Sequence, residues 1–196
     1  MMSSIDRAPR DSSQVLCSSV SVPLIDILTE LRLVLGSLHP THYTQRMSKL
    51  FAHSTIGGHV RHCLDHVRAL VDGRETGTID YDRRERETPI QSDPVLANHE
   101  LEHLIHMLTG LAEVDAEERV AIEVMPTRDG GNIRLFSTVG RELAFVLSHT
   151  IHHNATIRGM VVSLGLPVPA SLGYAPSTLA HNALMSRPIT LQSTTL

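Results

Sequence analysis

Histidines at helical spacing are the chemistry-bearing feature of this 196-residue sequence, which holds thirteen of them beside three phenylalanines, three tyrosines and no tryptophan. The central stretch is Ser148-His149-Thr150-Ile151-His152-His153-Asn154. It lies inside a mainly apolar run from Val139 to Leu164 with no proline and, between Phe145 and Ile157, no charge, which predicts a buried helix. On that helix His149 and His153 stand at i and i+4, roughly 40° apart around the axis, so their imidazoles share one face. Two imidazoles so placed can grip one metal ion.

A catalytic zinc-type site needs about three protein ligands and an open position, so a third must come from another element. The best donor is Gly57-Gly58-His59-Val60-Arg61-His62-Cys63-Leu64-Asp65-His66, where His59, His62 and His66 follow i, i+3 and i+7. The expectation is two packed helices, one giving His59 and the other His149 and His153. The ordinary alternative is a set of core histidines that pack and hydrogen-bond without a metal. Three neutral imidazoles suit zinc first, with nickel, iron, cobalt or manganese as alternatives. A second motif, His99-Glu100-Leu101-Glu102-His103, matches H-E-x-x-H, in which two histidines bind zinc and the glutamate is a general base. The metzincin extension fails here, because His106 and Thr109 stand where a glycine and a histidine are required. A polar, solvent-facing side of a helix explains the segment better. A di-iron centre would need two Glu-x-x-His motifs, and Glu100 to His103 supplies one.

The elements that must position these groups read as an all-α, four-helix bundle with a small β-hairpin inserted before the last helix. Pro23 suits the first turn of a helix running to about Leu38, with Leu24, Ile27, Leu28, Leu31 and Leu35 on one face. His39-Pro40 stops it. Ser54 can cap a second helix over about 55 to 72, ended by Gly73. Residues 73 to 92 read as a charged loop carrying the run 80–87. Asp93-Pro94 opens a third helix to about Leu111, with Val95, Leu101, Leu104, Ile105 and Leu108 as its apolar stripe. Val120-Ala121-Ile122-Glu123-Val124 and Ile133-Arg134-Leu135-Phe136, joined through Gly130-Gly131, read as the hairpin. Thr138 or Gly140 begins the histidine helix, and Gly165 and Pro167 end it. Pro176 to Leu184 holds a short helix. Residues 1–20 read as a disordered tail, 21–182 as the bundle domain and 183–196 as a flexible tail.

The formal net charge is -4, with no basic tract, which disfavours nucleic acid. Cys17 and Cys63 are far apart and outside any CxxC pattern, which fits a reducing compartment. No run of 18 apolar residues and no signal core occur, so the default is a cytoplasmic protein that touches neither membrane nor nucleic acid.

The order and separation of these segments resemble the DinB/YfiT-like superfamily of four-helix metalloenzymes. Ser54 to His59 is similar to the segment before that family's first ligand, His149 to His153 to its paired motif, and Ile79 to Arg86 and Gly173 to Leu179 to one of its subgroups. The resemblance covers residues 20 to 180 and implies His59, His149 and His153 as ligands. It gives His62 the place of a pocket-lining residue and catalytic proton shuttle, and leaves His152 outside the site. Asp65 and Glu142 are candidates to orient ligand imidazoles, and Tyr81, Arg84 and Arg86 to form an anion-binding lid. It further implies a homodimer and metal-dependent activation of water or a thiol on a small-molecule substrate, of hydrolase or thiol transferase type. A non-catalytic metal- or ligand-binding bundle is the competing expectation.

Overall fold

The computed structural model describes residues 15–83 and 88–185. These form six α-helices and three short strands, a mostly helical fold with one small sheet. The helices are α1 (Ser18–Ser37), α2 (Pro40–Thr44), α3 (Ile56–Thr76), α4 (Pro94–Thr109), α5 (Val139–Ser163) and α6 (Pro176–Met185). The strands are β1 (Thr78–Asp80), β2 (Arg119–Val124) and β3 (Ile133–Thr138).

The four long helices close a ring of contacts, in which α1 packs on α4 and α5, and α3 packs on the same two. The apolar spacing of each helix explains the ring. Leu24, Leu28, Leu31 and Leu35 on α1 are buried, as are Val60, Leu64, Val67 and Leu70 on α3 and Leu101, Leu104 and Leu108 on α4. Each such side chain contributes about 1.5–3 kcal/mol by leaving water. Val95, expected in that stripe, is 74 % exposed, because the buried face of α4 runs through Pro94, Ala97, Leu101, Leu104 and Leu108 and Val95 points away from it. No helix among the described residues is long and apolar enough to cross a membrane.

Several elements differ from the sequence reading. Helix α1 starts at Ser18, with Pro23 in its second turn, because backbone hydrogen bonds from Cys17 N to Val114 O (2.9 Å) and Ala116 N to Val15 O (2.9 Å) pin the preceding segment. Residues 15–20 of the expected tail are therefore structured; 1–14 and 186–196 lie outside the described residues. Helix α3 continues through Gly73 to a left-handed cap at Gly77 (φ 75°). Gly73 serves packing instead, since a Cβ there would stand 2.7 Å from Ile79 Cα. That close approach admits β1, which the charged sequence around it conceals. The hairpin is thus a three-stranded sheet, with β1 parallel to β2 (Ile79 opposite Ile122) and β2 antiparallel to β3 (Ile122 opposite Leu135).

Caps fix where the histidine helices begin. Thr55 Oγ1 accepts from Gly58 N (2.9 Å) at the start of α3, and Thr138 Oγ1 accepts from Arg141 N (3.3 Å) at the start of α5. At α4 the Asp93 carboxylate accepts from Val95 N (2.8 Å) and Leu96 N (3.3 Å).

Candidate metal centre

Packing of α3 on α5 brings five histidines together: His59, His62 and His66 from one helix, His149 and His153 from the other. One ring nitrogen from each of His62, His149 and His153 lies within 4.8 Å of those of the other two, a group that could hold a metal ion. His62 Nε2 and His149 Nε2 are 3.0 Å apart. Nitrogens about 2.0–2.1 Å from a tetrahedral zinc stand about 3.3 Å from one another, close to the spacing of the His62 and His149 pair.

His59 stands against this trio. Its Nδ1 is 3.0 Å from His153 Nδ1, and its Nε2 is 3.0 Å from Ser54 Oγ. The Ser54 hydroxyl donates its one proton to Phe51 O (2.6 Å), so Ser54 accepts from the ring and His59 carries its proton on Nε2. His59 Nδ1 then accepts, His153 Nδ1–H donates, and the lone pair of His153 rests on Nε2. Burial first, and the neighbouring His152 second, lower the pKa of His59. Burial and then the facing His149 and His59 push that of His153 down to about 3. Both rings are thereby kept neutral, the form a metal requires.

His66 is 6 % exposed and locked from both sides. Its Nδ1–H donates to His62 O (2.9 Å), and its ring stacks on His149 at 3.9 Å and on Tyr81 at 5.3 Å between centroids. The Tyr81 hydroxyl donates to Glu142 Oε2 (3.0 Å), while Ser137 Oγ and Arg141 donate to Glu142 Oε1 (both 2.7 Å). Glu142, wholly buried, is thus the anchor of this cluster, receiving Tyr81, Ser137 and Arg141. Burial, then the Glu142 charge, raise the Tyr81 pKa and keep it a hydroxyl.

A cavity of about 550 Å³ opens beside the histidines, with His62, His66, His149, Tyr81 and Glu142 in its wall.

The sequence-derived trio and the geometric one differ in a single member. The structure gathers His62 with His149 and His153, and sets His59 one contact further out, on His153. Spacing along α3 could not separate the two, because i and i+3 both face a partner helix. His152 is exposed, as its angle around the helix implies. Asp65 holds Arg61 at 3.1 Å. Arg84 and Arg86 lie outside the described residues. His99 and His103 are exposed, and Glu100 accepts from Arg68 at 2.5 Å, so the H-E-x-x-H segment presents a surface ion pair. Ser54 is the contributor that spacing did not single out, whereas His66 stood at i+7 of the histidine stripe on this helix.

No family model matches the chain, and no solved structure matches it. FK506-binding protein 5 of Rhizopus delemar is 30 % identical to it over 104 residues, 53 % of this chain. The chain spans about a quarter of that relative, 27 % of its length. These findings overturn the resemblance to the DinB/YfiT-like superfamily, for which no match is found. The reason is physical: a His-x-x-x-His pair on one helix and a histidine on its neighbour are what helix geometry demands of any such cluster, so they do not carry descent.

Proposed function

We propose that this protein is a metal-dependent enzyme in which His62, His149 and His153 hold a divalent cation, zinc first, and that it acts on a small molecule as a hydrolase or thiol transferase. The observation that carries the reading is the mutual approach of those three imidazoles, two of which, His62 and His149, line a cavity of about 550 Å³. The ring of α1, α4, α3 and α5 is read as a four-helix bundle with its site between facing helices. When bound, the ion supplies Lewis acidity, lowering the pKa of a water or thiol that reaches it. The chain's own residues do the rest. His59, protonated towards Ser54, accepts from His153 Nδ1 and so leaves the lone pair of that ring on Nε2; His66 fixes the His149 ring by stacking; Tyr81 and Glu142 hold hydrogen-bonding groups at the cavity wall. The ligand named in the Rhizopus relative is not carried over to a chain that spans 27 % of it.

The second reading, a non-catalytic metal site, is favoured by His59 and His66, two further imidazoles beside the trio that could close the coordination shell. Metal analysis of tag-free protein reconstituted with zinc or cobalt tests both. The enzyme reading expects one ion per chain, lost in His62→Ala and His149→Ala, bound 10–100-fold more weakly in His59→Ala and unchanged in His103→Ala. Azide then shifts the visible spectrum of the cobalt protein, whereas a closed site leaves it unmoved. Negligible metal after reconstitution overturns both readings.

A further inference from the structure

The wall of the cavity beside the histidines has two unlike parts. One is the imidazole wall of His62, His66 and His149. The other is built from the sheet. The β2–β3 register sets Ile122 opposite Leu135 and Val124 opposite Ile133, so Ile122, Val124 and Leu135 share one face, and Ile122, Val124 and Leu135 all line the cavity. Phe145 of α5 lines the same cavity, its ring 5.8 Å from that of His149 and 5.1 Å from that of Tyr81. Leu135 is 49 % exposed and is part of this wall. A half-exposed leucine on a cavity wall that also holds candidate ligands is where an apolar ligand recovers buried area.

Resting on the metal reading above, we infer that the cavity takes a small molecule with two parts: a metal-binding oxygen or nitrogen head at the histidine part of the wall and a flat apolar body, about the size of one ring, between Phe145 and the Ile122–Leu135 face. The polar groups agree with this division. Glu142 is wholly buried and already receives Tyr81, Ser137 and Arg141, so that carboxylate organises the wall and keeps three donors aligned. Arg141 lies over one face of the Phe145 ring, 5.5 Å from its centroid. The volume, about 550 Å³, lies within the range of pockets that bury most of a small ligand.

The test uses the cobalt-loaded full chain and two probes with the same head, acetohydroxamate and phenylacetohydroxamate, titrated by the visible absorption of the metal. The inference expects phenylacetohydroxamate to bind about tenfold or more tightly, the ring being the added buried surface. Leu135→Thr, a half-exposed strand position that tolerates a β-branched polar residue, is expected to reduce that ratio to below about threefold and to leave acetohydroxamate unchanged; Phe145→Leu provides a second variant with the same expectation. Equal affinity for the two probes, or a ratio that neither variant alters, overturns the inference while the metal site stands. Absence of any cobalt spectrum overturns the metal reading, and this inference with it.

Discussion

Burial is the leading influence on Cys63 and His153. Burial, and next Asp65, push the Cys63 thiol up to about 12, so it is almost wholly protonated near neutrality. The folded protein is therefore expected to leave Cys63 unmodified by iodoacetamide at pH 8, with labelling appearing on unfolding; peptide mass spectrometry reads this, and rapid labelling of native protein contradicts the packing described. His153 behaves in the opposite sense for a base. Its folded pKa, near 3, lies below the ordinary histidine value of 6.5, so the unfolded chain binds more protons between those limits. Stability of the metal-free protein is expected to fall as pH drops from about 6.5 towards 3. Replacing His153 by Gln should flatten that part of a denaturation profile against pH, and an unchanged slope would assign it to other groups.

At the scale of elements, one small feature places the site and another fixes a supporting helix. Gly73 lets β1 lie against the last turns of α3, and a methyl group there would meet Ile79 Cα and Thr78 O at 2.7 and 2.8 Å, both backbone. Gly73→Ala is expected to cost about 1–3 kcal/mol by urea denaturation, as overpacking does, and to loosen the segment that carries Tyr81. A loss below about 0.5 kcal/mol would mean that the contact relaxes freely. Asp93 caps α4 with two backbone N–H groups. Asp93→Ala should cost about 1 kcal/mol, a size that separates capping from the surface ion pairs. The expected boundaries missed in these places because a glycine inside a helix and a glycine that ends one look alike in sequence; only the approach of β1 tells them apart.

For the whole molecule, metal and fold are coupled. An ion that binds the folded chain at 100 times its dissociation constant adds about 2.7 kcal/mol to stability, so zinc should raise the melting temperature by several degrees. His149→Ala should melt at one temperature with or without zinc, since the variant leaves two members of the trio on separate helices. An equal zinc response in wild type and variant would place the ion elsewhere. Calorimetry of the two proteins decides it.

Sequence alone determined that the chain is mostly helical, that α1, α3, α4 and α5 carry apolar stripes, and that histidines on two of them face one another. Those are consequences of periodicity, which is local. The position of α4's cap and of the hairpin's strands followed from Asp93-Pro94 and from β-branched runs for the same reason. Tertiary structure decided the rest. It chose His62 over His59 for the geometric trio, because the rotation of α3 against α5 is set by core side chains such as Val60, Leu64 and Val146, not by the spacing of the histidines. It recruited Thr78–Asp80 as a strand, because a short polar segment gains strand structure only when a partner such as β2 offers its edge. It buried Glu142 among Tyr81, Ser137 and Arg141, groups that are distant or unremarkable in sequence and meet only when the sheet folds onto the start of α5.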